Sequence, residues 1–322
     1  GSADILTDLL RDEMGFEGMV VSDWHGVGEV KGCTNDDCAQ AVNAGVDMFM
    51  VPTDWKSLYH NTLAQAKSGE IPATRIDQAV RNILIMKIRA GLFNRGLPSS
   101  LAAKYRDQIG HPDHRGIARE AVRKSQVLLK NENQRLPLSP RGTYLATGPG
   151  ADNIGQQSGG WSVSWQGTGN SNSDFPGGTS ILDGIERQVS AAGGRVVRDI
   201  NADVDAAVVV FGETPYAEGQ GDTYTVAWYD KRGERKLINA LVGKGIPVVA
   251  VFLTGRPMWI NDVLNQSDAF VVSWLPGTEG EGVVGGRDHL KAHSGLCALG
   301  DARELDEHRA RRTREGKSPS SH

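Results

Sequence analysis

Apolar residues cluster along this chain in short runs that alternate with longer stretches of helical spacing. At the start, "ADILTDLLRDEMG" puts Ile5, Leu6, Leu9 and Leu10 on one face, and Gly15 stands where a helix stops. "MVVS" then reads as a buried strand, "DDCAQAVNAG" as a short helix, and "VDMFMVP" as a second strand closed by Pro52. Two helices follow. The first is "WKSLYHNTLAQAKSG". The second is "TRIDQAVRNILIMKIRAG", with Thr74 and Asp77 in a capping-box pattern and Gly91 as its stop. Strongly apolar strands between helices predict a parallel sheet covered by helices.

Residues 94–114 have mixed polarity and two prolines, and read as a linker. A helix over "RGIAREAVRKSQVLLKNE" is expected next. A second α/β unit begins near residue 136. Its candidate strands are "TYLATG", "AAVVVFG", "PVVAVFL" and "AFVVSW", separated by helices such as "SILDGIERQVSAAGG" and "ERKLINALVGKG". This alternation predicts a mainly parallel sheet with helices on both faces. Ligands of such sheets gather at the carboxyl ends of strands. Glu213, the run Gly255-Arg256-Pro257 and the loop "LPGTEGEG" fall at those ends. Residues 286–322 differ in kind: they hold half of the eight His, are dense in Arg and contain no strand-like run. They read as a disordered or out-of-frame tail, with a basic regulatory tail as the alternative. The expected division is 1–93, a linker and connecting helix over 94–135, a domain over 136–285, and the tail.

Composition narrows the function classes. With 322 residues the chain has ample length for a core, and its net charge of −4 gives no basic footprint for nucleic acid. No apolar run is long enough to cross a membrane, and no signal-peptide pattern opens the chain. Cys33 and Cys38 in "GCTNDDC" allow either a short-loop disulfide or two free thiols, and no zinc set of Cys and His completes them. No metal or cofactor is expected. "GPGAD" falls short of a dinucleotide fingerprint, and neither a Walker lysine motif nor a G-x-S-x-G elbow is present.

Aromatics beside carboxylates point to carbohydrate. Sugar rings offer apolar faces to Trp and hydroxyls to Asp, Asn and Arg. "GGWSVSWQGTGN" sets Trp161 and Trp165 four apart in a polar, Gly-rich stretch, either as a loop across a cleft or as core plugs. Glycoside hydrolysis with retention needs a carboxylate nucleophile and a carboxyl acid/base about 5–5.5 Å apart. Asp23, at the end of "MVVSD", is one candidate; a turn aspartate is the plainer reading of the same residue. Spacing alone does not choose the second carboxylate among Glu213, Glu218, Glu279 and Glu281.

The motifs "GFEGMVVSDW", "AVNAGVDMFMVP", "AREAVRKSQVLLKNE", "SGGWSVSWQGTGN", "GETPYAEGQGD", "GRPMWI" and "WLPGTEGEGV" occur here in one order. By them the chain resembles glycoside hydrolase family 3, of the β-glucosidase and exo-1,3/1,4-β-glucanase type. The resemblance implies a (β/α)8 barrel followed by an (α/β)6-type sandwich, acting on a β-glucan or β-glucoside oligosaccharide. It implies Asp23 as nucleophile and Glu279, in W-L-P-G-x-E-G, as acid/base. It gives Trp24 and Trp165, with Trp161 beside it, to the sugar clamp, and Glu213, Tyr216 and Glu218 to the pocket wall. Only two candidate strands precede the linker, so by the resemblance they are the last two of the barrel. The chain is then expected to be a fragment of a periplasmic or secreted parent and to be nearly inactive alone. A non-catalytic carbohydrate-binding α/β module is the alternative.

Overall fold

Four runs of apolar residues become adjacent strands in the computed structural model, which describes residues 1–285; the expected tail over 286–322, with Cys297, lies outside the described residues. The chain divides into two compact units, Gly1–Tyr105 and a second that begins at Arg106.

In the first unit, a π-helix (Asp4–Glu13) leads to β1 (Val21–Trp24), α1 (Ala39–Asn43), β2 (Met48–Met50), α2 (Trp55–Ser68), α3 (Ala73–Arg89) and α4 (Pro98–Tyr105). β1 and β2 form a parallel pair. β1 runs two residues further than the apolar run "MVVS" suggests, so that it includes Asp23 and Trp24. His25 donates its N–H to the Met50 carbonyl and then turns out at φ 53°, which ends the strand. α3 starts at Ala73 behind Pro72, without the Thr74–Asp77 capping box. The stretch expected as a bare linker contains α4.

The interaction that organises this unit is centred on Asp47, whose carboxylate is fully buried. It accepts from Arg11 Nη2 at 2.5 Å, Arg75 Nη2 at 2.6 Å, the Asn82 amide and the Val20 backbone N–H. Arg75 also donates to the Val42 and Val46 carbonyls. Asp47 thus ties the π-helix, the entry to β1 and α3, and Arg75 extends the tie to the end of α1.

The second unit contains α5 (Pro112–Ser125), β3 (Val127–Asn131), β4 (Thr143–Thr147), α6 (Ile154–Ser158), α7 (Ile181–Ala191), β5 (Arg195–Val197), β6 (Ala206–Gly212), α8 (Glu234–Gly243), β7 (Val248–Leu253), α9 (Asn261–Gln266), β8 (Ala269–Trp274) and α10 (Glu281–Val284). Its six strands lie in the order β3-β8-β7-β6-β4-β5. All neighbours are parallel except β3, which runs antiparallel to β8. The mainly parallel α/β sheet read from the sequence is present, with two strands that the apolar runs did not announce. β5 is a three-residue edge strand. β3 is the end of the segment expected to stay helical: the buried Gln126 donates to the Val122 carbonyl and accepts from Ser273 Oγ at 2.6 Å, and "VLLKN" pairs with β8 instead.

Side chains alternate across the central strands as the pleat requires. Val208 and Val210 with Val249, Val251 and Val271 face one core, closed by Ile181, Ile185 and Val189 of α7. Val209 and Phe211 with Ala250, Phe252 and Phe270 face the other, closed by Trp228 and by Ile238 and Leu241 of α8. Helices on both faces explain why these strands are apolar throughout. Their carboxyl ends release the loops that carry Glu213, Arg256 and Glu279.

Replacing Asp47 by Ala leaves Arg11 and Arg75 buried without a counter-charge. A loss of about 3–5 kcal/mol is expected for a broken buried pair. Limited proteolysis in urea should show unit one opening at lower denaturant, while the six-stranded sheet keeps its transition. An unchanged first transition would contradict the role given to Asp47.

Candidate active site

Asp23 is exposed one residue before the end of the first unit's β1. Its Oδ1 accepts from the Trp24 N–H at 2.7 Å, and no other side-chain bond is made to its carboxylate among the described residues. Ser22 fixes the strand end by accepting from the Met50 N–H at 2.8 Å and donating to the Asp23 carbonyl at 3.0 Å. Trp24 is 56% exposed. The nearby loop is stapled, since Cys33 and Cys38 are disulfide-linked.

In the second unit, Trp161 and Trp165 sit at a tight turn in which the Trp161 N–H donates to the Trp165 carbonyl at 2.8 Å. Trp161 and Val163 both adopt positive φ there. The indoles are 68% and 55% exposed, with ring centroids 6.2 Å apart. They are therefore surface aromatics and plug no core. Gln166, next in sequence, accepts the Ala217 N–H at 2.7 Å through its side chain, which joins this turn to the loop after β6.

That loop carries three of the expected residues in different states. Glu213 is spent on internal bonds. Its Oε2 accepts from Thr254 Oγ1 at 2.6 Å, the Gly255 N–H at 3.3 Å and the Tyr216 hydroxyl at 3.4 Å, while Oε1 accepts from Arg256 Nε at 3.1 Å. Arg256 also donates Nη1 to the Gly221 carbonyl at 2.7 Å and lies over the Tyr216 ring at 4.1 Å. Burial, reinforced by the Glu213 carboxylate, pushes the Tyr216 phenol above its ordinary range. Glu218 is exposed, stands at φ 47°, and makes no side-chain bond among the described residues. A non-glycine residue at positive φ is held by its surroundings at some cost, a pattern that recurs at functional sites.

Glu279, expected as the acid/base, is enclosed. It is 3% exposed. Arg115 Nη2 lies 2.9 Å from its Oε1 and Arg119 Nη1 3.2 Å from its Oε2. Both oxygens therefore face guanidinium groups of α5. Glu281 continues the network to Arg119 at 3.1 Å and to Arg187. The two arginines are spaced four apart on one helix face, a spacing visible in the sequence that points to a shared anionic partner. Gln166 and Arg256 lie inside the motifs "SGGWSVSWQGTGN" and "GRPMWI", but residue type alone does not mark which bonds they make.

Glu279→Gln breaks this clamp and is expected to lower the unfolding free energy by about 3 kcal/mol. Urea unfolding of the two proteins measures it. A change below about 0.5 kcal/mol, as for an exposed pair, would contradict the structural role.

Comparison with known proteins follows the same division. Residues 1–86 match the model of the glycosyl hydrolase family 3 N-terminal domain, and residues 126–285 that of its C-terminal domain. A lysosomal β-glucosidase of Dictyostelium discoideum is 35% identical over 305 residues, covering 85% of this chain and 36% of that protein. A periplasmic β-glucosidase of Salmonella typhimurium is 31% identical, over 87% of this chain and 41% of its own length. The crystal structure of an exo-1,3/1,4-β-glucanase from a Pseudoalteromonas species superposes with a TM-score of 0.84 at 48% identity, covering 88% of this chain and 36% of that one. The chain thus spans well under half the length of these relatives. With both domain models matched in family order, the chain belongs to glycosyl hydrolase family 3.

Proposed function

We propose that the chain carries the nucleophile strand and the acid/base loop of a retaining β-glucosidase or exo-β-glucanase that releases glucose from non-reducing ends. Asp23 attacks the anomeric carbon, and the leaving oxygen takes a proton from a carboxyl group of the second unit. Water deprotonated by that group then hydrolyses the glycosyl-enzyme, so configuration is retained. Membership of the family and the names of the relatives support the reaction class. Asp23's accessible carboxylate at a strand end supports its role.

For the acid/base, the observation that carries the proposal is the contrast among three glutamates. An acid/base must reach a substrate oxygen and change protonation within each turnover. Glu279, assigned that role by motif, has both oxygens against arginines, and Glu213 has both oxygens in hydrogen bonds. Glu218 alone of the three presents an uncommitted carboxylate among the described residues. We therefore assign the acid/base to Glu218 and give Glu279 the task of anchoring the "LPGTEGEG" loop to α5. Trp24, Trp161 and Trp165 serve as stacking surfaces for the leaving sugar.

β1 and β2 are proposed as two adjacent strands of a (β/α)8 barrel. Partial exposure of Val21 and Met48, and of the stripe Val80, Leu84 and Ile88 on α3, supports further strands and helices packing there. The glycone's binding energy positions the anomeric carbon for attack. Two strands supply little of such a site, so the isolated chain is expected to turn over poorly. The Cys33–Cys38 disulfide and the periplasmic relative support an oxidising compartment, periplasmic or secreted.

Two assays test this. The purified chain should hydrolyse a chromogenic β-glucoside no faster than background; turnover that Asp23→Asn removes would contradict the isolated-chain expectation. A chimera with residues 1–285 in place of the matching segment of the Pseudoalteromonas exo-glucanase should hydrolyse the same substrate with retained configuration by NMR. Asp23→Asn in the chimera should reduce the rate to background. An inverted product, or full activity in Asp23→Asn, would overturn the mechanism.

A further inference from the structure

A cavity of about 370 Å³ lies wholly within the second unit, beneath the segment 213–232 that links β6 to α8. Glu218, Trp161 and Trp165 do not border it, and of residues 159–170 only Thr168 does. Its size falls at the lower end of ligand pockets, about 300–1,000 Å³. We propose that this cavity binds a neutral saccharide of one or two hexose units, separately from the face that carries Glu218.

The charge of its wall selects the ligand class. Three acids, Glu213, Asp222 and Glu234, meet three bases, Lys231, Arg232 and Arg256, so the formal charge cancels. Glu213 is matched by Arg256 at 3.1 Å and Glu234 by Arg232 at 3.3 Å. An anion would meet the three carboxylates, and a cation the three bases. An apolar ligand would strand these polar groups without water. A neutral, polyhydroxylated ligand fits both requirements, since each hydroxyl donates and accepts.

Groups remain to bind it. The side chains of Asp222, Lys231 and Gln220 make no bond among the described residues, so their donors and acceptors are available. Tyr229 is 63% exposed at the rim, where its ring can lie on the apolar face of a pyranose and its hydroxyl can reach an oxygen. The wall is also held in place. Arg256 spans Glu213 and the Gly221 carbonyl. Asp230 accepts from the N–H groups of Gly233, Glu234 and Arg235, which fixes the start of α8. Although burial opposes it, hydrogen bonds from the Glu234 side chain and these N–H groups hold the Asp230 carboxyl at about 2. A preformed wall lowers the ordering cost of binding. The inference concerns binding alone and does not depend on which glutamate is the acid/base.

The test is titration of the full 322-residue chain with laminaribiose and with cellobiose, by calorimetry and by NMR shifts. Binding of at least one sugar with a Kd of about 1 mM or tighter is expected. Tyr229→Ala and Lys231→Met, both at exposed positions, should each weaken it about tenfold, while Arg198→Ala and Lys124→Ala, outside both the cavity and the proposed active site, leave it unchanged. No binding by the unaltered chain would overturn the proposal. So would binding insensitive to Tyr229→Ala and Lys231→Met. Circular dichroism of each variant confirms that the fold is retained. Retaining hydrolysis by the chimera described above is read independently of all these outcomes.

Discussion

The guanidinium of Arg256 is the point on which the second unit's chemistry rests. It follows β7, at the carboxyl edge of the sheet. From there it neutralises Glu213, lies over Tyr216 and holds the Gly221 carbonyl. These three bonds clamp both ends of the segment that carries Glu218. A charged pair this well bonded fixes geometry more than it adds stability, because removing the charges from water offsets much of their attraction. The value of the pair here lies in shape: it fixes the loop on either side of Glu218 and forms a wall of the cavity beneath. Gln166 extends the same constraint to the tryptophan turn.

Much of the second unit was legible in the sequence. The runs "AAVVVFG", "PVVAVFL" and "AFVVSW" are apolar on both pleat faces because helices cover both sides, and each became a strand close to its expected limits. The capping pair Ser180 and Asp183 starts α7 as its residue types suggest. Other features depend on partners far along the chain. β3 is a strand only because β8 offers an edge, and nothing within "VLLKN" separates it from the preceding helix. Local chemistry likewise cannot reveal that Asp47 will meet Arg11 and Arg75 in the interior.

The candidate site shows the same limit. The motif pointed to Asp23 where position alone favoured a plain turn, and the residue is exposed near the end of its strand. The motif also pointed to Glu279, but a motif records residue type and order, not what the carboxylate faces. Arg115 and Arg119 supply that missing fact. A group that donates to a substrate oxygen must reach it, and Glu279 is buried against α5 whereas Glu218 is exposed. The family's two-carboxylate chemistry is compatible with either assignment, and the choice of Glu218 proposed here rests on side-chain environment.

The most direct measurement is azide rescue in the chimera. In a retaining enzyme that lacks its acid/base, azide can take the place of activated water at the glycosyl-enzyme. The account predicts that Glu218→Ala slows hydrolysis of a substrate with a poor leaving group by about 10²–10⁴-fold. Added azide should then restore turnover on an activated aryl β-glucoside and give β-glucosyl azide by NMR. Rescue in Glu279→Ala, with Glu218→Ala retaining full activity, would contradict it.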